Sequence, residues 1–278
     1  MSPLAVSPLN QVGTWPVPNA AAAIIDFDQH VETTGDRSRT YRLASLAKVI
    51  TTWAVLVAVE EGSVRLDSPV GQPGCTLRHL LTHAGGYPFD GDVPLIAPGT
   101  RRIYSNTGIE LAAATVEQAT GIPFAEYLDE GVLQPIGMDS TSLRGSPAHA
   151  VWSTLDDMIA FVGEIIHPTL LSPTTVAEAT SPQFPDIAGK VPGVGSFRPC
   201  PWGLGVEIHG AKHPHWMGAA NSPATFGHFG GAGTMMWVDP VAGAALVALT
   251  DLPFDDWADT ALQVWPALSD AVVADATR

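Results

Sequence analysis

The sequence predicts an α/β (α+β) fold: one sheet assembled from both ends of the chain, with a helical region inserted between them. Three observations carry this. Short strand-like runs occur at Ala20 to Ile25 and His30 to Thr34. Strand signals return late, at Trp202 to Ile208, Thr225 to Gly230, Thr234 to Val238 and Ala244 to Thr250. Between them lie capped helical patterns. The chain has 278 residues, 46% of them hydrophobic and 15% charged, enough to fill one large core.

Residues 1–18 hold Pro3, Pro8, Pro16 and Pro18 and read as an irregular lead-in. The first two strand runs flank Asp26-Phe27-Asp28-Gln29, consistent with a hairpin. Val49 to Val59 is apolar on every face and ends at Glu60-Glu61-Gly62, so a helix buried on all sides is expected, with Gly62 as its left-handed stop. Thr76 to Thr82 reads as a short capped helix stopped by Gly85-Gly86. A helix is expected over roughly 108–120, ended by Gly121, and another from Pro123 to near Gly137-Met138. Ser153-Thr154-Leu155-Asp156 resembles a capping box opening a helix to about Ile166. Seven prolines in 167–201 suggest a loop-rich wall with one short helix after Ser172-Pro173. Trp257, Ala261, Val264, Leu268 and Val272 form a last helical stripe, expected to be interrupted at Pro266.

The net charge of −15 disfavours nucleic acid and anionic membrane surfaces as partners. Val49 to Val59 is too short to span a bilayer. The first basic residue is Arg37, so no charged n-region of a secretory signal is seen and a cytoplasmic protein is expected. Cys75 and Cys200 are isolated and are read as two free structural thiols. No cofactor motif appears. The expected partner is a small-molecule substrate, and the sequence is silent on oligomeric state.

The chemistry gathers around Ser45, three residues before Lys48 at the head of the buried helix. Free backbone N–H groups in a first helical turn favour a developing oxyanion, and a lysine one turn on can activate the hydroxyl. Ser-x-x-Lys is common by chance and a serine at a helix start is usually a cap. Yet the chain has only three lysines, Lys48, Lys190 and Lys212, and only Lys48 stands in this pattern. Tyr104, in Tyr104-Ser105-Asn106, follows a Pro-Gly turn; a phenol near an ammonium has a lowered pKa and can act as a base. His228 lies in a strand that enters the glycine-rich turn Gly230-Gly231-Ala232-Gly233.

Ser-x-x-Lys, then Tyr-x-Asn, then His-x-Gly in this order resembles the class C β-lactamase-like serine hydrolases, a family of β-lactamases, DD-peptidases and esterases. Leu66 to Val70, Thr76 to His83, Pro98-Gly99-Thr100, Pro135 to Met138, Ser153 to Asp157 and Trp202 to Gly205 fit as well, so the resemblance covers roughly 20–252. It implies a five-stranded antiparallel sheet flanked by helices plus a helical subdomain, in a single unit over 1–278. The sheet region would be 1–62 and 202–278, and the helical region 63–201. It also implies Ser45 as nucleophile, Lys48 and Tyr104 as its proton-handling partners, and the N–H groups of Ser45 and Gly231 as oxyanion hole. Asn106, His228, Phe229 and Gly230 would bind substrate or orient Lys48.

His228-Phe229-Gly230 stands where relatives acting on peptidoglycan or β-lactams often carry Lys-Thr-Gly, and the helix that many relatives have before the first strand is not evident. An esterase is therefore the expected activity, with a β-lactamase or D-Ala-D-Ala-type peptidase as the alternative and a non-catalytic binding protein of the same fold as the second. Arg101 and Arg102 could hold a carboxylate if either reached the cleft. A metal site at His209, His213 and His215 is disfavoured, because no carboxylate follows closely.

Overall fold

The computed structural model describes residues 7–278. In chain order the strands are β1 (Ala20–Asp26), β2 (Val31–Thr34), β3 (Tyr41–Arg42), β4 (Ser142–Leu143), β5 (Val151–Ser153), β6 (Gly189–Val191), β7 (Gly195–Phe197), β8 (Glu207–Ile208), β9 (Phe226–Gly230), β10 (Thr234–Asp239) and β11 (Ala244–Thr250). The helices are α1 (Ala47–Glu60), α2 (Leu77–Leu81), α3 (Asn106–Thr120), α4 (Phe124–Leu128), α5 (Leu155–Ile166), α6 (Pro173–Ala179) and α7 (Ala258–Ala276).

The main sheet is antiparallel throughout, in the order β2-β1-β11-β10-β9-β8. All six strand runs read from the sequence pair here. The sheet therefore has six strands where the family resemblance implies five, because Glu207–Ile208 adds a two-residue strand beside β9. The predicted run from Trp202 is shortened to those two residues, with Trp202 joined to Glu207 by an isolated bridge.

Alternation along the central strands explains why they are buried on both faces. Ala21, Ala23, Ile25, Met236, Val238, Ala245, Val247 and Leu249 enter a core shared with α1 and α5. Ala22, Met235, Trp237, Ala244, Leu246 and Ala248 enter a second core under α7, with Trp265, Leu268 and Val272. Helix α1 is buried from Ala47 through Leu56, and Gly62 after it has φ +80°, both as its all-round apolar sequence requires.

Several elements differ from the sequence expectation. The lead-in is not irregular: Pro8–Thr14 forms a 3-10 helix, capped by the Ser7 hydroxyl, with Leu9 and Val12 in the α7-side core. A helical segment before the first strand is therefore present. Residues 1–6 of that lead-in lie outside the described residues. Helix α7 runs unbroken past Pro266; Trp265, Leu268 and Val272 are anchored in the core on either side of it and offset one missing N–H. The segment after Pro123 is helical only to Leu128, followed by one wide turn over Asp129–Leu133. Within the proline-rich 167–201 stretch the expected short helix appears as α6, together with the unforeseen hairpin β6–β7. A small sheet, β3-β5-β4, was likewise not expected.

Candidate active site

Ser45 sits in a 3-10 turn, Ala44–Leu46, that runs directly into α1. The segment before it is clamped from two sides. The Leu43 N–H donates to the Val151 carbonyl of β5 at 2.9 Å. From the other side the Thr234 hydroxyl donates to the Leu43 carbonyl at 2.8 Å. Gly230 makes this approach possible, since a Cβ there would fall 2.0 Å from the Leu43 oxygen. Ala44 is held at φ +47°, an unfavourable value for a residue with a side chain, immediately before the serine.

Lys48, one turn on, is fully buried. Its Nζ lies 2.7 Å from Asn106 Oδ1, 2.9 Å from the Ala148 carbonyl and 3.1 Å from Ser45 Oγ. Burial lowers its pKa from 10.5 to about 7, with Glu110 and Asp90 pulling the other way. A neutral amine carries two N–H donors and one lone pair. Because the Asn106 and Ala148 oxygens can only accept, they take the two hydrogens and leave the lone pair facing the serine hydroxyl. Asn106 is itself oriented by its amide, which donates to Asp90 at 3.0 Å.

Tyr104 packs its ring 4.8 Å from Lys48 Nζ and its hydroxyl 3.3 Å from His228 Nε2. The sequence suggested a phenol acidified by the lysine. The structure shows the opposite: burial pushes the Tyr104 phenol well above its ordinary pKa, outweighing the lowering influence of the nearby Ser45 hydroxyl. His228 is also neutral, its pKa lowered to about 4 by burial and by Lys48. Its Nδ1 faces the Phe229 carbonyl at 2.6 Å and so carries the ring proton. Nε2 is then the acceptor, and the Tyr104 hydroxyl donates to it.

A cavity of about 190 Å³ opens at Ser45 and is lined by Tyr104, Trp202, His228, Phe229, Gly231 and Glu207 among others. The N–H groups of Ser45 and Gly231 are not taken by any carbonyl among the described residues, while the Gly231 carbonyl accepts from the Phe254 N–H. The Phe229 ring borders the cavity but packs mainly into the aromatic core, 5.1 Å from Phe254 and 5.6 Å from Trp216. Asn106 stands behind Lys48 rather than on the cavity wall, and Gly230 serves the Leu43 contact.

Two residues of this site escaped the sequence. His83, in a left-handed conformation (φ +56°), packs with its ring tilted 40° and 4.4 Å from the Tyr104 ring, and its Nδ1 accepts from the Ser105 N–H. Burial holds it well below its ordinary pKa, so it is neutral packing for the phenol. Glu207 is a buried carboxylate on the cavity wall, bonded to Lys212 at 2.9 Å, His215 at 2.8 Å and Trp216 Nε1 at 2.8 Å. Burial acts to raise its pKa, but Lys212 and His215 outweigh that and hold it well below the carboxylate range. His215 thus faces Glu207, with the ring of His209 5.1 Å away, while His213 lies exposed. Arg102 does not reach the cleft: it is buried and donates to the carbonyls of Thr82, Gln183, Phe184 and Cys200.

Residues 17–268 match the Beta-lactamase family. The chain belongs to that family. A β-lactamase-family crystal structure from Mycobacterium bovis, described as a β-lactamase, is 47% identical over 98% of this chain and 100% of that one, with a TM-score of 0.94. Simvastatin synthase from Aspergillus terreus, at 19% identity and a TM-score of 0.78 over 98% of this chain and 99% of that one, shares the β-lactamase fold. Among curated family relatives, esterase EstB of Burkholderia gladioli is 32% identical over 145 residues, 35% of this chain and 37% of that protein. The chain spans about 60% of the length of a relative from Escherichia coli O157:H7 provisionally named a D-alanyl-D-alanine carboxypeptidase. Among the described residues no helix is long and apolar enough to cross a membrane.

Proposed function

We propose that the protein is a serine hydrolase that forms an acyl-enzyme on Ser45, with esters as its preferred substrates. The carrying observation is a buried lysine, its pKa lowered to about 7, whose Nζ lies 3.1 Å from the serine hydroxyl. Lys48 takes the Ser45 proton as Oγ bonds to the substrate carbonyl carbon. The N–H groups of Ser45 and Gly231 receive the negative charge that forms on the carbonyl oxygen. The Tyr104 ring stabilises the new ammonium. When the carbonyl closes again, the leaving alkoxide takes a proton from the Lys48–Tyr104 side. Water then attacks the acyl-enzyme by the same route, with Lys48 again as base.

Esters are favoured over β-lactams and D-Ala-D-Ala peptides because the wall that meets a carboxylate beside the scissile bond carries no cation. His228 is neutral, Phe229 is apolar, and Glu207 is ionised. Relatives named as β-lactamases and carboxypeptidases keep those activities as the second reading. All of residues 1–278 act as one unit in this reading, with the cytoplasm as its compartment; the two buried free thiols agree with a reducing environment.

The test is fluorophosphonate labelling with mapping of the adduct, alongside kcat/KM for a short p-nitrophenyl ester and a chromogenic cephalosporin, each corrected for its uncatalysed rate. Label on Ser45, lost in Ser45→Ala, and a larger enhancement for the ester are expected. Label on another serine overturns the nucleophile. A larger enhancement for the cephalosporin returns the β-lactamase reading to the front.

A further inference from the structure

A second groove, about 590 Å³, adjoins the Ser45 cavity and shares Phe89, Tyr104, Pro192 and Gly193 with it. Its remaining wall combines apolar side chains, including Leu95 and Ile103, with Arg101 and Lys190. Phe89 and Leu95 are 50% and 61% exposed, unusual for large apolar residues unless something covers them. Among the described residues, no carboxylate lines this groove, and Arg101 and Lys190, both exposed in it, form no ion pair, as is also true of Arg42, Arg65, Arg144 and Arg198 elsewhere.

We infer that this groove binds the alcohol portion of the substrate, and that this portion is apolar and ends in an anionic group. The inference rests on the hydrolase reading above. Tyr104 stands between the serine and the groove, and the departing alkoxide takes its proton on the Lys48–Tyr104 side. The group attached to that oxygen therefore lies where the groove begins. Phe89, Leu95 and Ile103 cover its apolar body, and Arg101 and Lys190 meet the anion. This is distinct from the cation-free wall at His228, which meets groups next to the scissile bond. One substrate can be neutral near the reacting carbon and anionic at a distance from it.

The experiment compares two acetate esters with the same acyl group, 7-acetoxy-4-methylcoumarin and its 3-carboxymethyl derivative, on wild type, Arg101→Gln, Lys190→Gln, the double variant and the remote control Arg65→Gln. The wild type should turn over the anionic ester with the higher kcat/KM, through KM. Each single variant should lose about threefold on the anionic ester, the double variant about tenfold, and none on the neutral one, as for partly exposed ion pairs. Raised salt should close the gap between the two esters. Absence of the anionic preference, or equal losses on both esters, overturns the groove assignment. A preference that appears only when the carboxylate is moved to the acyl side, as in the coumarin half-ester of adipic acid, also overturns it. Turnover of both esters by Ser45→Ala would instead overturn the hydrolase reading itself.

Discussion

In the proposed mechanism the deciding residue is Lys48. With a pKa of about 7, it is mostly protonated below neutrality and free to accept a proton above it. Activity on a neutral ester should therefore rise about tenfold per pH unit below 7 and level off above it, with no fall through pH 10, because Tyr104 titrates well above its ordinary range. A pH–rate profile of kcat/KM reads this directly; a flat acidic limb would remove Lys48 as the base. The same shift has a thermodynamic side. Lys48 binds its proton more tightly unfolded, near 10.5, than folded, near 7, so between these values the unfolded chain holds the extra proton. Wild-type stability relative to Lys48→Met should rise with pH across that window, by at most roughly 1.4 kcal/mol per unit. Urea unfolding of both proteins at pH 7 and pH 9 measures it.

At the scale of elements, the site depends on how β9 and β10 meet the segment ahead of α1. Thr234→Val removes the hydroxyl that donates to the Leu43 carbonyl and leaves that carbonyl buried, at a cost of about 1–3 kcal/mol. Gly230→Ala drives a methyl into the same oxygen and should reduce activity much more than it reduces secondary structure. Circular dichroism with ester kinetics separates the two; a fully active Gly230→Ala would show that this contact does not position Ser45. These elements also show what was legible in the sequence. Helix α1 announced itself because a run apolar on all faces has few other destinations, and Thr76, with the His79 ring reaching back, forms the cap its position suggested. The six strands of the main sheet were visible as β-prone runs. Strands of two or three residues, such as Tyr41–Arg42 or Gly189–Val191, carry too few alternations to register, and their pairing depends on neighbours distant in sequence. Ser45, Lys48 and Tyr104 stood out by spacing and order. Glu207 could not, because one carboxylate in an apolar run gives no sign of the Lys212, His215 and Trp216 that fold around it.

At the scale of the whole molecule, that buried cluster ties the cavity wall to the core beneath α7. Glu207→Gln removes the carboxylate charge that Lys212 pairs with in a fully buried setting and should cost about 3–5 kcal/mol, read as a fall in Tm. In the wild type, Glu207 is held below its unfolded pKa of 4.5, so its contribution is complete above that value and fades as the pH falls further. Acid unfolding should accordingly be less steep in the variant. An unchanged Tm would mean that the cluster contributes no net stability.

The sheet's strand order has a further consequence, which concerns the order in which the ribosome makes the protein. Strand β1 lies between β2 and β11, so the inner edge of the first strand synthesised waits for the last. The Leu43 carbonyl likewise waits for Thr234, and the serine's turn is not locked until that partner leaves the exit tunnel. A nascent chain with every residue of the α1 segment already made still lacks the partner that holds the turn at Ser45. Such long-range pairing makes folding slow and late. It also means that an incomplete product of interrupted translation carries Ser45 without the contact that holds its turn.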